Sequence, residues 1–478
     1  GSERSATGTH YTPDELCQPL IRHSLDYIIA EKLKEPDKEK ALLSIRTCDV
    51  AAGSGHILLN AARRIGFELA KVRTGEDQPS PAAYRAGIRD AIKSCIYGVD
   101  KNPLAVELCK VSLWLEAHIP GEPLNFLDHH IKCGDSIVGL AHKEELLSGI
   151  AEEAFKKVTG DDPDVVTRLA KRNRDEVKAR QQLPLNFAQT VTGDLKNIAD
   201  WLNRFSAMPE NTPDEVAAKQ KGYLELTSGA VWWHLKNLAD VQTAQYFIPK
   251  TKENEAKLIT DLTYREYLAG KQMIGLDIAK ATAVALKIHF FHWFLEFPEV
   301  FMGGGFDCIL SNPPYLGGKK ISGTLGERTL TYLKQNYEAS DAGVDLVSYF
   351  VRRAFSLLKL TGFMGVIATK TICQGDTKSA CLDYILNHRG NINFAVRSIR
   401  WPGAASVYVS LVSITKLESG YQRYLGQQEV QYISSYFDDV KETSLVYSLV
   451  ENEDRSFQGV VPLGQGFYLK SEHAEQLI

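Results

Sequence analysis

None of the eight cysteines stands in a C-x-x-C pair, and no group of histidines and cysteines has the spacing of a zinc site. The thiols therefore read as reduced core residues of a cytosolic protein, and no metal is expected. No apolar run approaches membrane-spanning length and no signal peptide is visible, so no membrane partner is expected. An excess of either charge is also missing. A formal net charge of −4 and a pI near 6.4 argue against a histone-like or arm-type nucleic-acid binder. They leave room for an enzyme with a local basic cleft. Lys319, Lys320, Arg328, Lys334, Arg352, Arg353, Lys370, Arg397 and Arg400 are the cations available for one, each with a solvated surface as the plainer alternative. There is no internal repeat and no low-complexity tract. The 478 residues, 24% charged and 44% hydrophobic, suit a globular protein of two or three domains. The chain opens Gly-Ser without Met, as a tag scar or trimmed fragment would. It ends at Glu475–Ile478 inside a helical pattern, so the natural protein is expected to continue beyond it.

The pattern that is present alternates short strands with helices. His10-Tyr11-Thr12-Pro13-Asp14-Glu15 predicts a helix capped by Thr12 with Pro13 in its first position, and apolar residues recur at Leu16, Leu20, Ile21, Leu25, Ile28 and Ile29. A strand at 45–50, a glycine turn at 51–55 and a helix at 56–73 open a nucleotide-binding α/β unit. A Pro/Gly/Ser loop is read over 75–83. A helix at 82–94, a strand ending at Asp100, a helix at 104–118 and a third strand end at 131–136 follow. From about 141 to 300 the sequence reads as charge-rich helices, among them 145–157, 164–180, 214–236 and 279–297. Trp232 and Trp233 there read as core packing. Strands and helices alternate again from Phe306, with a helix at 343–359, a strand at 362–368, a helix at 376–388 and strands at 392–396 and 407–414. Short β-like runs rich in Tyr and Gln follow from 418.

The most informative string is Asn312-Pro313-Pro314-Tyr315, directly after the apolar run Phe306–Ser311. Two prolines fix φ and offer no backbone donor, so the Asn amide and nearby carbonyls are held out at the carboxyl end of a strand, with an aromatic ring beside them. Acceptors and a π-face together suit a flat ring bearing an amine. The plainer alternative is an ordinary proline turn. Upstream, Asp49-Val50-Ala51-Ala52-Gly53-Ser54-Gly55 is a turn whose glycines would let a ligand approach the backbone. It has no trailing Gly-Lys-Ser/Thr, which argues against a P-loop NTPase, and it lacks the third glycine of a dinucleotide fingerprint. Asp100 ends the next strand, where an acid accepts from ribose hydroxyls, and Asp135 ends a third. Each acid alone could be a helix cap; three polar strand ends on one rim point to a ligand.

The order of His10–Pro13, Asp49–Gly55, Asp100, Asp135 and Asn312–Tyr315 resembles the N6-adenine DNA methyltransferases of the gamma arrangement, in which the cofactor motifs come first. The fuller text is similar to the Eco57I-like restriction-modification methylases and to the methylases of BREX and DISARM phage-defence systems. The segments carrying this are 7–13, 97–103, 133–136, 312–318, 368–372, 374–377 and 401–403. The resemblance implies an α/β, Rossmann-like S-adenosylmethionine-dependent methyltransferase fold, a sheet flanked by helices and interrupted by a large α-helical insertion. It implies four regions. Residues 1–140 hold an N-terminal helix and the cofactor half, 141–300 the helical insertion, 301–417 the catalytic half, and 418–478 the start of a target-recognition region.

The resemblance also implies the site. Tyr11, Thr12, Pro13, Asp49, Ala51, Gly53, Gly55, Asp100, Lys101, Asp135 and Ser136 would bind S-adenosyl-L-methionine, released as S-adenosyl-L-homocysteine. Asp100 would take the ribose and Asp135 the adenine amine. Asn312, Pro313, Pro314 and Tyr315 would hold the target adenine, with Trp401, Arg397, Arg400, Lys319 and Lys320 as stacking or DNA-contacting candidates. The implied reaction is methyl transfer to a base flipped from double-stranded DNA, marking self in a restriction-modification or phage-defence system in a prokaryotic cytoplasm, with other defence-system proteins as partners. Two departures stand out: a long interval between Asp135 and Asn312, and Ala51-Ala52-Gly53 where many relatives carry Pro-Ala-Cys-Gly. Three alternatives stay open on the sequence. They are methylation of RNA or of a glutamine amide, a bifunctional restriction nuclease-methylase, and a binding module with a vestigial site.

Overall fold

The computed structural model describes residues 12–179, 185–337, 343–402 and 407–440, the side chains of 185–190 aside. Tyr11, Gly403 and residues 441–478 lie outside them. Nine strands form one sheet: β1 (Thr47–Asp49), β2 (Ile96–Asp100), β3 (Ile131–Cys133), β4 (Phe306–Ser311), β5 (Leu358–Thr369), β6 (Asn391–Arg400), β7 (Tyr408–Thr415), β8 (Arg423–Leu425) and β9 (Gln428–Val430). Their order is β3-β2-β1-β4-β5-β7-β6-β8-β9. β1 to β5 run parallel, β7 is antiparallel to both β5 and β6, and β9 is antiparallel to β8. The order reverses between β1 and β4, so a crevice opens beyond their carboxyl ends, where sheets of this kind bind ligands.

Both faces of the sheet are covered, which explains why β1 and β4 are buried throughout rather than alternating. On one face Leu16, Leu20, Ile28, Ile65, Ile88 and Ile92 pack with Cys308, Leu310 and Phe363. On the other, Cys48, Val50, Tyr97, Phe306 and Ile309 belong to a core that runs on into Leu195, Trp232, Leu235, Phe294 and Phe297. The helical segment between β3 and β4 thus shares its core with the sheet. Among its described residues, the ion pair between Lys219 Nζ and Glu210 is fully buried.

Several boundaries differ from the sequence reading, for local reasons. The first helix starts at Asp14 with Pro13 in the cap position and no side-chain cap, and it breaks at Ser24, whose hydroxyl donates to the Leu20 carbonyl. Helix 82–94 begins at Pro81, inside the expected loop, because Ser80 caps it by accepting from Ala83 N. The 145–157 stretch is two 3-10 turns, Lys143–Ser148 and Glu152–Phe155, parted by Gly149 at φ 76°. Residues 214–236 divide into Pro213–Thr227 and Ala230–Ala244 around Gly229. The 279–297 helix stops at Ile288 because His289 adopts the left-handed conformation. Trp232 is buried, whereas Trp233 is 44% exposed and is not core.

Candidate active site

A cavity of about 600 Å³ lies over the carboxyl ends of β1, β2, β3 and β4. Among the residues expected to act, Thr12, Asp49, Ala51, Gly53, Asp100, Lys101, Asp135, Ser136, Asn312, Pro313, Pro314, Tyr315 and Trp401 line it. The strand ends are tied together by hydrogen bonds. Ser311 Oγ at the end of β4 donates to Asp49 Oδ1 at the end of β1 (2.6 Å), which also accepts from Ala51 N (2.9 Å). Asp100 Oδ2 accepts from Gly53 N (2.9 Å) and its Oδ1 from Asn102 N (2.8 Å). Ser136 Oγ donates to the Val50 carbonyl (2.5 Å). The glycine turn is therefore held from three neighbouring strands.

The two glycines of the turn have different tasks. Gly53, at φ 54°, has only the Ala51 carbonyl within reach of an added Cβ, so its open side faces the cavity. Gly55 lies off the cavity. A Cβ there would meet Cys109 Sγ at 2.7 Å, so this glycine serves helix packing rather than close approach of a ligand. Pro13 likewise does not line the cavity; it caps the first helix. Asp135 is not a bare acceptor: Lys101 Nζ donates to its Oδ2 at 2.8 Å, and Ile137 N to its Oδ1 at 3.3 Å.

The clamp is compact. Asn312 Nδ2 donates to Thr12 Oγ1 (3.1 Å), and Tyr315 donates its hydroxyl to Asn312 Oδ1. Burial pushes the Tyr315 phenol well above its usual range, so it stays a donor. The loop after it is pinned to helix Leu346–Leu357: Leu346 N donates to the Leu316 carbonyl and Leu316 N to Asp345 Oδ1. Thr324, Leu325, Leu346, Phe350 and Val407 complete the wall beside Tyr315 and Trp401. No sequence signal marked these five, because they come from helices and a hairpin whose approach is set by tertiary packing.

The expected basic cleft is thinner than the sequence suggested. Arg328 pairs with Asp161 (2.5 Å), and Arg352 and Arg353 are buried. Arg353 donates to the Gly139 carbonyl (2.8 Å) and to Tyr337 Oη (2.9 Å), which supports the turn after Asp135. Lys319, Lys320, Arg397 and Arg400 are exposed and lie outside the cavity lining. Among the described residues no group of His, Cys, Asp and Glu is arranged to hold a metal, and no helix is long and apolar enough to cross a membrane.

Burial pushes the Asp49 carboxyl from 3.8 to about 7. Its stabilising contribution is complete below about pH 4, where both folded and unfolded chains hold the proton. It falls as pH rises toward 7, because only the folded state still holds the proton, and it is lost above that. Asn in place of Asp49 keeps the acceptor for Ala51 N and Ser311 Oγ but carries no charge. Melting curves are expected to show Asp49→Asn gaining stability relative to wild type between pH 5 and pH 8. A constant gap across that range would contradict the assignment.

The model of the Eco57I restriction-modification methylase family matches residues 94–394, a stretch that runs from β2 through Asn312–Tyr315 into β6. The chain belongs to this family. Its sheet is Rossmann-like, with a helical segment between β3 and β4. This Eco57I-family chain is 22% identical over 414 residues to a Methanocaldococcus jannaschii protein named as a type II restriction enzyme and methyltransferase, covering 77% of this chain and 32% of that one. It is 27% identical over 150 residues to the adenine-specific methyltransferase BrxX of Escherichia coli O9:H4, covering 31% and 11%. The chain thus spans a third or less of these relatives' length. Among solved structures it is similar to the Type IIL restriction-modification enzyme MmeI in complex with DNA, at 15% identity and a TM-score of 0.46, covering 92% of this chain and 42% of that one.

Proposed function

We propose that this chain carries the catalytic machinery of a site-specific, S-adenosylmethionine-dependent adenine-N6 DNA methyltransferase, the self-marking enzyme of a restriction-modification or phage-defence system. One observation carries the proposal: Asn312–Tyr315 and the strand-end residues Asp49, Asp100 and Asp135 line a single cavity. Family membership and the adenine-specific and restriction-type relatives support adenine in DNA as the acceptor.

The donor set fits the cofactor. Asp100 is a carboxylate at the end of β2, each oxygen taking one backbone N–H and keeping lone-pair capacity for a ribose diol. Gly53 presents a bare backbone that a Cβ would obstruct. Ala52, Ile57 and Ile137 supply apolar wall. When bound, S-adenosylmethionine supplies an electrophilic methyl on a sulfonium. The residues of this chain do the rest. An adenine amine is a weak nucleophile because its lone pair is delocalised into the ring. Asn312 Oδ1 and the Pro313 carbonyl accept its two hydrogens, favouring a pyramidal nitrogen with its lone pair available. This is preorganised electrostatics combined with positioning. Asn312 Oδ1, which accepts from the Tyr315 hydroxyl, keeps a second lone pair for the amine, and the Tyr315 ring beside it is the surface on which the flipped base would stack.

Incubation of unmethylated DNA with the protein and methyl-labelled cofactor, followed by digestion to nucleosides, is expected to give N6-methyladenine. Label on RNA or protein, or DNA cleavage with magnesium and no methylation, would overturn the proposal. Trp401 lines the same cavity at the end of β6. Base stacking on an aromatic side chain contributes about 1–3 kcal/mol. Trp401→Ala is therefore expected to raise the KM for DNA about tenfold in that assay, while S-adenosylhomocysteine affinity measured by calorimetry stays within about twofold.

A further inference from the structure

The hydroxyl of Thr12 does not cap the helix that follows it. It sits against Asn312, 300 positions away in sequence, with Oγ1 accepting from Asn312 Nδ2 at 3.1 Å. Thr12 is buried, 4% exposed. Leu16 N and Cys17 N donate to the Pro13 carbonyl. One residue further on, Asp14 Oδ1 pairs with His56 Nε2 (2.7 Å) and accepts from Asn60 Nδ2 (2.9 Å), both from the helix that follows the glycine turn.

An Asn side chain has a donor end and an acceptor end of nearly equal shape, so its use as an acceptor requires something to decide which end faces the substrate. The two neighbours of this amide differ. Tyr315 shares the loop of Asn312 and bonds the Oδ1 end, which keeps a second lone pair for a bound amine; Thr12 comes from a separate helix start and bonds the Nδ2 end. We infer that Thr12 is a positioning residue for methyl transfer. By accepting from Nδ2 it holds Oδ1 of Asn312 toward the target amine. This rests on the methyltransferase reading above. Without the Thr12 acceptor the amide can turn over and donate to Tyr315, presenting N–H to N–H at the target.

The test compares Thr12→Val, which keeps the shape and removes the acceptor, with Thr12→Ser, which retains it, both in the protein at its full natural length. Methyl transfer to unmethylated plasmid DNA is measured at saturating S-adenosylmethionine, alongside S-adenosylhomocysteine affinity by calorimetry and the melting temperature. The expected result is a kcat about tenfold lower for Thr12→Val at saturating cofactor, with melting within a few degrees of wild type, and recovery in Thr12→Ser. The inference is overturned if saturating cofactor restores Thr12→Val completely, since Thr12 would then act on the cofactor alone. It is also overturned if Thr12→Ser is as slow as Thr12→Val. Failure of the methyltransferase reading looks different: the wild-type protein itself would form no N6-methyladenine.

Discussion

Asn312→Ala is expected to lower kcat for methyl transfer by about 10³-fold while leaving S-adenosylhomocysteine affinity within a few-fold of wild type. The size follows from the task of the amide. Removing one preorganised group aimed at charge that develops in the transition state costs about 10²–10³ in kcat. Here the same side chain also fixes the orientation of the reacting amine. The effect on stability is expected to be small, because only the bonds to Thr12 and Tyr315 are lost, at roughly 1 kcal/mol each. Single-turnover transfer with the variant at saturating DNA and cofactor separates this from weakened binding. A variant whose kcat stays within tenfold of wild type would remove Asn312 from the chemistry.

The second large effect is expected at Asp100. Its carboxylate is used twice by the protein, accepting from Gly53 N on one oxygen and from Asn102 N on the other. Asp100→Ala removes both acceptors and the partner proposed for the ribose hydroxyls. With charge-assisted hydrogen bonds contributing about 1.5–3 kcal/mol each, S-adenosylhomocysteine affinity is expected to fall by about 10²–10³-fold. Asp100→Asn gives the sharper test. An amide has one acceptor end, so its NH₂ must face one of the two backbone N–H groups. Asparagine is therefore expected to be nearly as damaging as alanine, within about threefold by calorimetry. If asparagine retains near wild-type affinity, the double acceptor role is wrong.

The parts of this site that were legible in the sequence share a physical cause. Asp49 and Asp100 each close a short strand, and Asn312 directly follows one, just before a Gly, Asn or Pro turn, and Asp135 follows Gly134 at the end of a short strand, so the place where a strand stops is written locally. The helices were legible as a class but not in their breaks. Gly229, extended, opens a new helix just after one has closed, and His289, left-handed, ends another; a run of favourable residues conceals both single-residue conformations. Gly55 was legible as a special position, yet its partner is Cys109 on another helix, which no local pattern announces. The hydroxyl of Thr12 was read as a cap because the following Pro-Asp-Glu suits a helix start. Its engagement with Asn312 depends on a sheet that brings the start of the chain beside β4. Arg352 and Arg353 show the same limit: a pair of cations in sequence carries no sign that both are buried.

The pairing of β1 with β4 also has a consequence for biosynthesis. Asp49 and Ser311 lie 262 residues apart, and everything between them, including the helical segment, emerges from the ribosome first. At about 5–20 residues per second, the nascent chain spends on the order of tens of seconds with one side of β1 unpaired. Over that interval the first half-sheet offers an open backbone edge that β4 will later occupy. Its three-residue length keeps that edge short, so few backbone groups are available to pair with a neighbouring chain before translation reaches Phe306.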